Sequence, residues 1–242
     1  VTDALRNVSA IAKRELAFYF GSPIAYVAVT VFLAICGVYL FVVYDFFDAN
    51  QATIRPLIEQ IPLFFILYIP AITMRLLSEE KRAGTIELLV TWPVTDTQIV
   101  VGKYLGALGI LAVTLVMSLV FPLIVGSLGE LDGGLVLGGY LGLFLLGAAY
   151  AAMGLLTSTW TQNQIIAFIL AVLLCTFFYA IDTMVGSVWE SARDAFAALS
   201  MKAHFANIAR GVIDTRDLVF YASFIVVSLV CAVQSLQSRN WK

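Results

Sequence analysis

The residues able to do chemistry are few, and their placement excludes most of it. His204 is the only histidine. With Asp214 or Glu190 it offers at most a sparse set of metal ligands, far short of a histidine-rich centre. A lone histidine satisfied by packing is the commoner arrangement. Cys36, Cys175 and Cys231 all fall inside apolar blocks, so they read as small hydrophobes rather than a disulfide or zinc framework. No G-x-x-x-x-G-K-[ST] run occurs in the sequence, so no loop of this kind cradles nucleotide phosphates. The net charge of −2 leaves no electrostatic footprint for nucleic acid. Residues 74–94 hold a run of ionisable side chains, Arg75, Glu79, Glu80, Lys81, Arg82 and Glu87. It reads as a charged collar, a break at Gly84, a short amphipathic helix and a stop at Pro93. Ile86, Leu89 and Val90 can face one way while Glu87 points elsewhere. Such a segment makes and breaks no bonds, but it is a suitable handle for a protein partner. An ordinary solvated charge run explains it equally well on physical grounds alone.

The elements that hold this segment are long and apolar. Apolar residues make up 61% of the 242-residue sequence and charged residues 12%. A soluble domain carries about 25% charge, so these long apolar blocks belong in a bilayer. Six runs of spanning length fall at about 24–43, 61–77, 100–125, 135–156, 165–185 and 218–236. Ser22-Pro23 opens the first with an N-cap and a proline at the first helical position. Pro70 should kink the second. Thr95 to Gln98 forms a capping box before the third. Six spans put both termini on one side. If that side is cytoplasmic, nine lysines and arginines lie inside and five outside, as the positive-inside rule favours. The expectation is an all-α integral membrane protein, a single transmembrane domain over residues 1–242.

Three segments outside the spans carry pattern. Residues 1–22 place Leu5, Val8, Ala12, Leu16 and Tyr19 on one helical stripe, with Arg6, Lys13 and Arg14 off it, as suits an interfacial helix. Residues 78–97 form the inner loop described above. Residues 186–217 promise two short amphipathic helices on or in the outer leaflet. Ser187 and Glu190 form a capping box for the first, with Trp189, Ala192, Phe196 and Leu199 at helical spacing. Met201, Phe205, Ile208 and Val212 stripe the second, which Gly211 can end.

The run MRLLSEEKRAGTIELLVTWPVTDTQIVVGK resembles the first cytoplasmic loop of ABC-2-type transporter permeases, and within them the gliding-motility GldF-like permeases. RELAFYFGSPIAYV, HFANIARGVIDTRDLVFY and RNWK resemble the same family, so the likeness covers nearly the whole chain. It implies a permease subunit, not an enzyme, in a bacterial cytoplasmic membrane with both termini cytoplasmic. It implies a separate ABC ATPase that binds ATP and Mg, leaving no cofactor in this chain. It also implies a second permease copy or homologue, and allows a GldG-like accessory subunit. The coupling segment carried over from the family comprises Glu79, Glu80, Gly84, Thr85, Ile86, Glu87, Leu88 and Leu89.

Candidate path-lining residues on spans two and five are Tyr68, Thr73, Thr176, Tyr179 and Thr183. That apolar, mildly hydroxylated wall fits an amphiphile better than a small ion. Arg75 and Asp182 are the ionisable residues nearest bilayer depth, and both sit close enough to span ends for structural roles. Gly102 with Gly106, and Gly138 with Gly142, form small-residue faces suited above all to packing within the subunit. A secondary transporter would need charge at mid-membrane, and no span shows a central Asp, Glu or Lys. A mechanical or scaffold subunit driven by an ATPase fits the same features as an exporter.

Overall fold

The computed structural model describes residues 2–47, 51–85, 94–186, 198–211 and 214–238. Among them every regular element is a helix. Helix α1 covers Thr2–Gly21, and α2 covers Pro23–Val38 with a π-helical turn at Tyr39–Val43. Helices α3 (Arg55–Thr73) and α4 (Arg75–Ala83) follow with only Met74 between them. Then come α5 (Asp96–Ser118), α6 (Val120–Leu128), α7 (Gly133–Trp160) and α8 (Gln164–Gly186). Helices α9 (Met201–Ala209) and α10 (Thr215–Gln237) complete the order. Six stretches are long and apolar enough to cross a membrane: Pro23–Val43, Arg55–Ala83, Asp96–Leu128, Gly133–Trp160, Gln164–Thr183 and Thr215–Gln237. They match the expected spans, and the second reaches further at both ends.

The caps act where the sequence places them. Ser22 Oγ accepts from the Ile24 N–H at 3.1 Å. Thr95 and Gln98 exchange the two bonds of a capping box. Two spans break near prolines. In the second, the helix lapses at Met74, four residues after Pro70. In the third it lapses at Leu119, three before Pro122. Pro122 has no N–H to give the Ser118 carbonyl, and the Tyr140 hydroxyl donates to that carbonyl instead at 2.9 Å. Within a bilayer this replacement matters, because no water reaches an orphaned carbonyl.

The second and fourth spans form the centre. Their most apolar stretches are 72% and 61% buried, against 17% for the first and sixth. Outward residues such as Leu67, Leu123, Ile169, Leu173 and Val226 are exposed and apolar, as hydrocarbon requires.

Small residues set how closely the helices approach. A Cβ on Gly102 would sit 2.7 Å from Ile11 Cβ, and one on Gly106 would sit 2.6 Å from Glu15 Cβ. Asn7 Nδ2 donates to Gln98 Oε1 at 3.3 Å. The pairs 7/98, 11/102 and 15/106 share one offset, so α1 runs parallel to the start of α5 in constant register. The expected stripe on α1 is largely the covered face, with Tyr19 buried and Val8, Ala12 and Leu16 half-buried, and the structure adds Ile11 and Glu15 to it. Leu5 is exposed, whereas Ile11, Glu15 and Tyr19 are buried. The reason is that α1 packs lengthwise against a span, through positions four apart that include Glu15. Further along, Gly138 and Gly142 receive Ile208 and Phe205 of α9, and Gly147 receives Leu111 and Phe65. Each of these glycine contacts lies within the subunit.

Helix α9 ends as expected, with Gly211 at φ +83. It is not a surface stripe, since Met201, His204, Phe205 and Ile208 are all buried among the spans. Trp189, Glu190 and Phe196, on the first helix expected in that loop, lie outside the described residues.

A valine at Gly106 should push α1 off α5, at about 1–3 kcal/mol for overpacking. Cysteines at Asn7 and Gln98 report this directly. They should form a disulfide readily in the otherwise unaltered chain and poorly once Gly106→Val is added.

Candidate functional site

Arg75, Glu80 and Lys81 of the collar meet other elements at one end of the bundle, the end where α1 and α5 begin. Lys103 lies seven residues into α5, on the face turned toward α1 and α4. Only 2% of its side chain is exposed. Its Nζ donates to Glu15 of α1 at 2.8 Å and lies 2.9 Å from Glu80 of α4. Arg14 Nη2 reaches Glu80 at 3.1 Å and Glu15 at 3.4 Å. Two cations and two carboxylates therefore close a neutral ring across three helices. A buried ammonium demands such partners, because leaving water without them costs several kcal/mol.

The neighbour of Glu80 reaches the other way. Lys81 Nζ donates to the carbonyl of Thr159, near the end of α7. Thr159 Oγ1 in turn donates to Ser235 Oγ of α10 at 2.9 Å. Successive residues of α4 thus grip α1 and α5 on one side and α7, then α10, on the other. Arg75, at the start of α4, is buried with its guanidinium 4.3 Å from the Phe18 ring centre and 4.5 Å from that of Tyr19. Tyr19 donates its hydroxyl to the Ile72 carbonyl at 2.6 Å. Burial pushes the Tyr19 phenol above the ordinary tyrosine range, and the Arg75 cation beside it pulls the other way. Arg75 therefore does not snorkel out to water; it is packed under α1.

Helix α4 stops abruptly. Gly84 takes φ +69, a conformation that costs other residues roughly 1–2 kcal/mol. The Thr85 N–H donates to the Glu80 carbonyl at 3.1 Å and the Gly84 N–H to the Lys81 carbonyl at 3.4 Å. These two bonds make a Schellman stop. The outcome is a rigid arm, continuous with span two, ending at exposed Gly84 and Thr85.

The expected site residues divide accordingly. Glu80 is engaged inside the chain, while Glu79, Gly84 and Thr85 are exposed near the tip. Ile86, Glu87, Leu88 and Leu89 lie outside the described residues. The candidate path residues do not share one wall. Tyr68 is buried, with its hydroxyl 2.6 Å from Thr114 Oγ1. Thr73 is buried and donates to the Ile69 carbonyl at 2.9 Å. Thr176 and Thr183 are exposed and bond the carbonyls of Val172 and Ala180 on their own helix. Tyr179 lines a cleft at the far end of the bundle.

Sequence reasoning missed Glu15, Lys103 and Arg14 as a set. Lys103 is one of the nine inner cations of the topology count, and nothing in that count marks it as buried. Its signal was a lysine between Gly102 and Gly106, small residues that admit a neighbouring helix. For Glu15 it was the four-residue spacing from Ile11. At the far end His204 finds a different partner from those expected. Its Nδ1 lies 2.5 Å from Asp217 Oδ1 and its Nε2 lies 3.1 Å from the Ala198 carbonyl. Asp214 instead caps α10, accepting from the Arg216 N–H at 3.0 Å. Both ring nitrogens are occupied, so His204 serves to hold α9 on α10. Among the described residues no group of three histidine, cysteine or acidic side chains could hold a metal ion.

A bundle of six apolar helices, with a stiff polar arm wired into it, defines a multi-pass membrane protein. Residues 34–214 match the sequence profile of the ABC-2 family transporter protein. That is most of the chain, and the protein belongs to this family. The family comprises transmembrane permease subunits without an ATPase site of their own, which implies an ABC ATPase partner. No curated protein matches the chain closely enough to count as a relative.

Removing the ammonium should leave Glu15 and Glu80 facing each other with only Arg14 between. Lys103→Met alone should cost about 3–5 kcal/mol of stability. Adding Glu15→Gln and Glu80→Gln should return part of that loss, since the stranded charges go too. Thermal unfolding of the purified permeases in one detergent measures both effects.

Proposed function

We propose that this chain is the permease half of an ATP-driven exporter, and that α4 carries force from a separate ABC ATPase into the spans. The observation behind this reading is the double grip of α4. Glu80 and Lys81 tie it to α1, α5 and α7 at once. A displacement of the arm's tip must then move several helices together or break buried polar contacts.

The chemistry is division of labour. ATP and Mg belong to the partner, which supplies phosphate-cradling loops that this sequence lacks. This chain supplies a docking tip, running from Gly84 through Leu89, and a path. The docking roles of Ile86, Glu87 and Leu89 follow from their residue types: two apolar plugs beside one charge-assisted acceptor. Two copies, or one copy and a homologue, would enclose the path, with a GldG-like subunit as an optional addition. The end bearing α4 would be cytoplasmic, in the inner membrane of a bacterium. Export is the favoured direction.

Orientation is tested with an impermeant thiol reagent on sealed cells. A cysteine at Lys202 should react from outside and one at exposed Arg82 should not. Reaction at position 82 in sealed cells would reverse the topology.

Coupling is tested on the permease–ATPase complex. Leu89→Asp should release the ATPase from the permease on co-purification. Glu80→Gln with Lys103→Met should retain it, because the tip is untouched. In that complex, ATP should no longer alter the labelling rate of a cysteine at Lys202, as it should in the parent. If the doubly substituted complex still responds, the ring does not transmit the stroke. If Leu89→Asp leaves the ATPase bound, the tip is not the docking element.

A further inference from the structure

The far end of the bundle holds a cleft of about 430 Å³ between α3, α7, α8 and α9. Its charged lining consists of Arg55, Lys202 and Arg210 against a single carboxylate, Glu59. The net charge of these side chains is +2. Glu59 is already committed, since Arg55 Nε donates to it at 2.8 Å. Among the described residues, neither Lys202 nor Arg210 has an anionic partner.

The two unpaired cations stand at opposite ends of α9, about 12 Å apart along the helix at 1.5 Å per residue. Between them α9 presents Phe205, Ala206 and Ala209 to the cleft, where the alanines leave room. The cleft is also graded in depth. Arg55 and Glu59 occupy the first turns of the second span, while Leu63 lies about 12 Å further into it. Helix α9 runs antiparallel to α7, with Ile208 on Gly138 and Phe205 on Gly142, so Arg210 stands near the mouth with Arg55 while Lys202 lies deeper, near the level of Leu63.

We infer that this cleft binds an amphiphile with an anionic, phosphate-type headgroup, its head at Arg210 and reached from deeper in the cleft by the long side chain of Lys202, its chain along Leu63 and Phe205. Two long cationic side chains able to converge on one group suit a phosphate oxygen cluster better than a carboxamide or sugar hydroxyl. A purely soluble anion would leave the apolar lower half unused. The cleft also includes Tyr179, one of the candidate path residues. A role for the amphiphile as cargo therefore rests on the exporter reading, whereas binding itself does not and is measured without any ATPase.

The full chain, purified in a neutral detergent, is titrated with phosphatidylglycerol, phosphatidylcholine or inorganic phosphate. Retention is read by native mass spectrometry and by the shift in thermal midpoint. Phosphatidylglycerol should be retained and should raise the midpoint; the other two should do so at least about tenfold less well. Lys202→Ala with Arg210→Ala should weaken phosphatidylglycerol by at least about tenfold, since both charge-assisted contacts go. Both side chains are exposed, so the lipid-free midpoint should hold. Leu63→Asn should weaken phosphatidylglycerol while leaving inorganic phosphate unaffected. Equal retention of both lipids, or unchanged phosphatidylglycerol binding in the double variant, would overturn the inference. Full competition by inorganic phosphate would replace it with a small-anion site. These binding results stand apart from the coupling test, so either reading can fail alone.

Discussion

One ammonium group organises the near end of this protein. Lys103 is buried in the third span, where it cannot keep its water. A polar group so buried needs partners, and carboxylates supply them from two different helices. The need to satisfy that charge fixes where α1 and α4 lie relative to α5. Glu15 can arrive because Gly102 and Gly106 remove the side chains that would hold α1 away. Glu80 can arrive because span two continues past Met74 as α4 instead of ending at the apolar boundary. Arg14 then balances the second carboxylate from the exposed side.

The same rule, that a polar group away from water must be met by another, governs the rest of the bundle. The Ser118 carbonyl freed by Pro122 takes the hydroxyl of Tyr140. The Tyr104 hydroxyl donates to the Ala148 carbonyl at 3.2 Å, and that of Tyr221 to the Met201 carbonyl at 2.9 Å. Each such bond links elements distant in sequence, so backbone and tyrosine chemistry specify helix neighbours where apolar contact alone would not. In lipid this specificity is needed, because leucine gains little by exchanging a lipid tail for another leucine.

The placement of charge also separates the candidate functions. A proton-coupled transporter needs ionisable groups along a path at mid-membrane. Here the charged side chains brought together lie at the two ends: a neutral ring at one and a cationic cleft at the other. An arm built into the ring is suited to receiving force. An exporter and a mechanically driven subunit would use such an arm identically, and they diverge in what occupies the far end.

How much of this was legible beforehand follows from the range of each interaction. The spans, their caps and the stop at Gly84 are local: twenty apolar residues, a Ser-Pro pair, a capping box and one glycine determine them wherever the chain lies. The family resemblance was legible too, in the run from Met74 to Lys103. The burial of Lys103 was not, because an isolated lysine near a span end reads as a solvated charge until another helix is seen to cover it. Nor was the partner of Tyr68, since one helix turn decides whether its hydroxyl meets the Thr114 hydroxyl. Likewise His204 has Asp214, Asp217 and Glu190 as near acids in sequence. Only the packing of α9 across α10 selects Asp217, by bringing together side chains thirteen residues apart. Hydrophobic length and caps are properties of segments, so the sequence alone determined them. The pairing of buried charges depends on which segments meet, and the tertiary structure alone decided that.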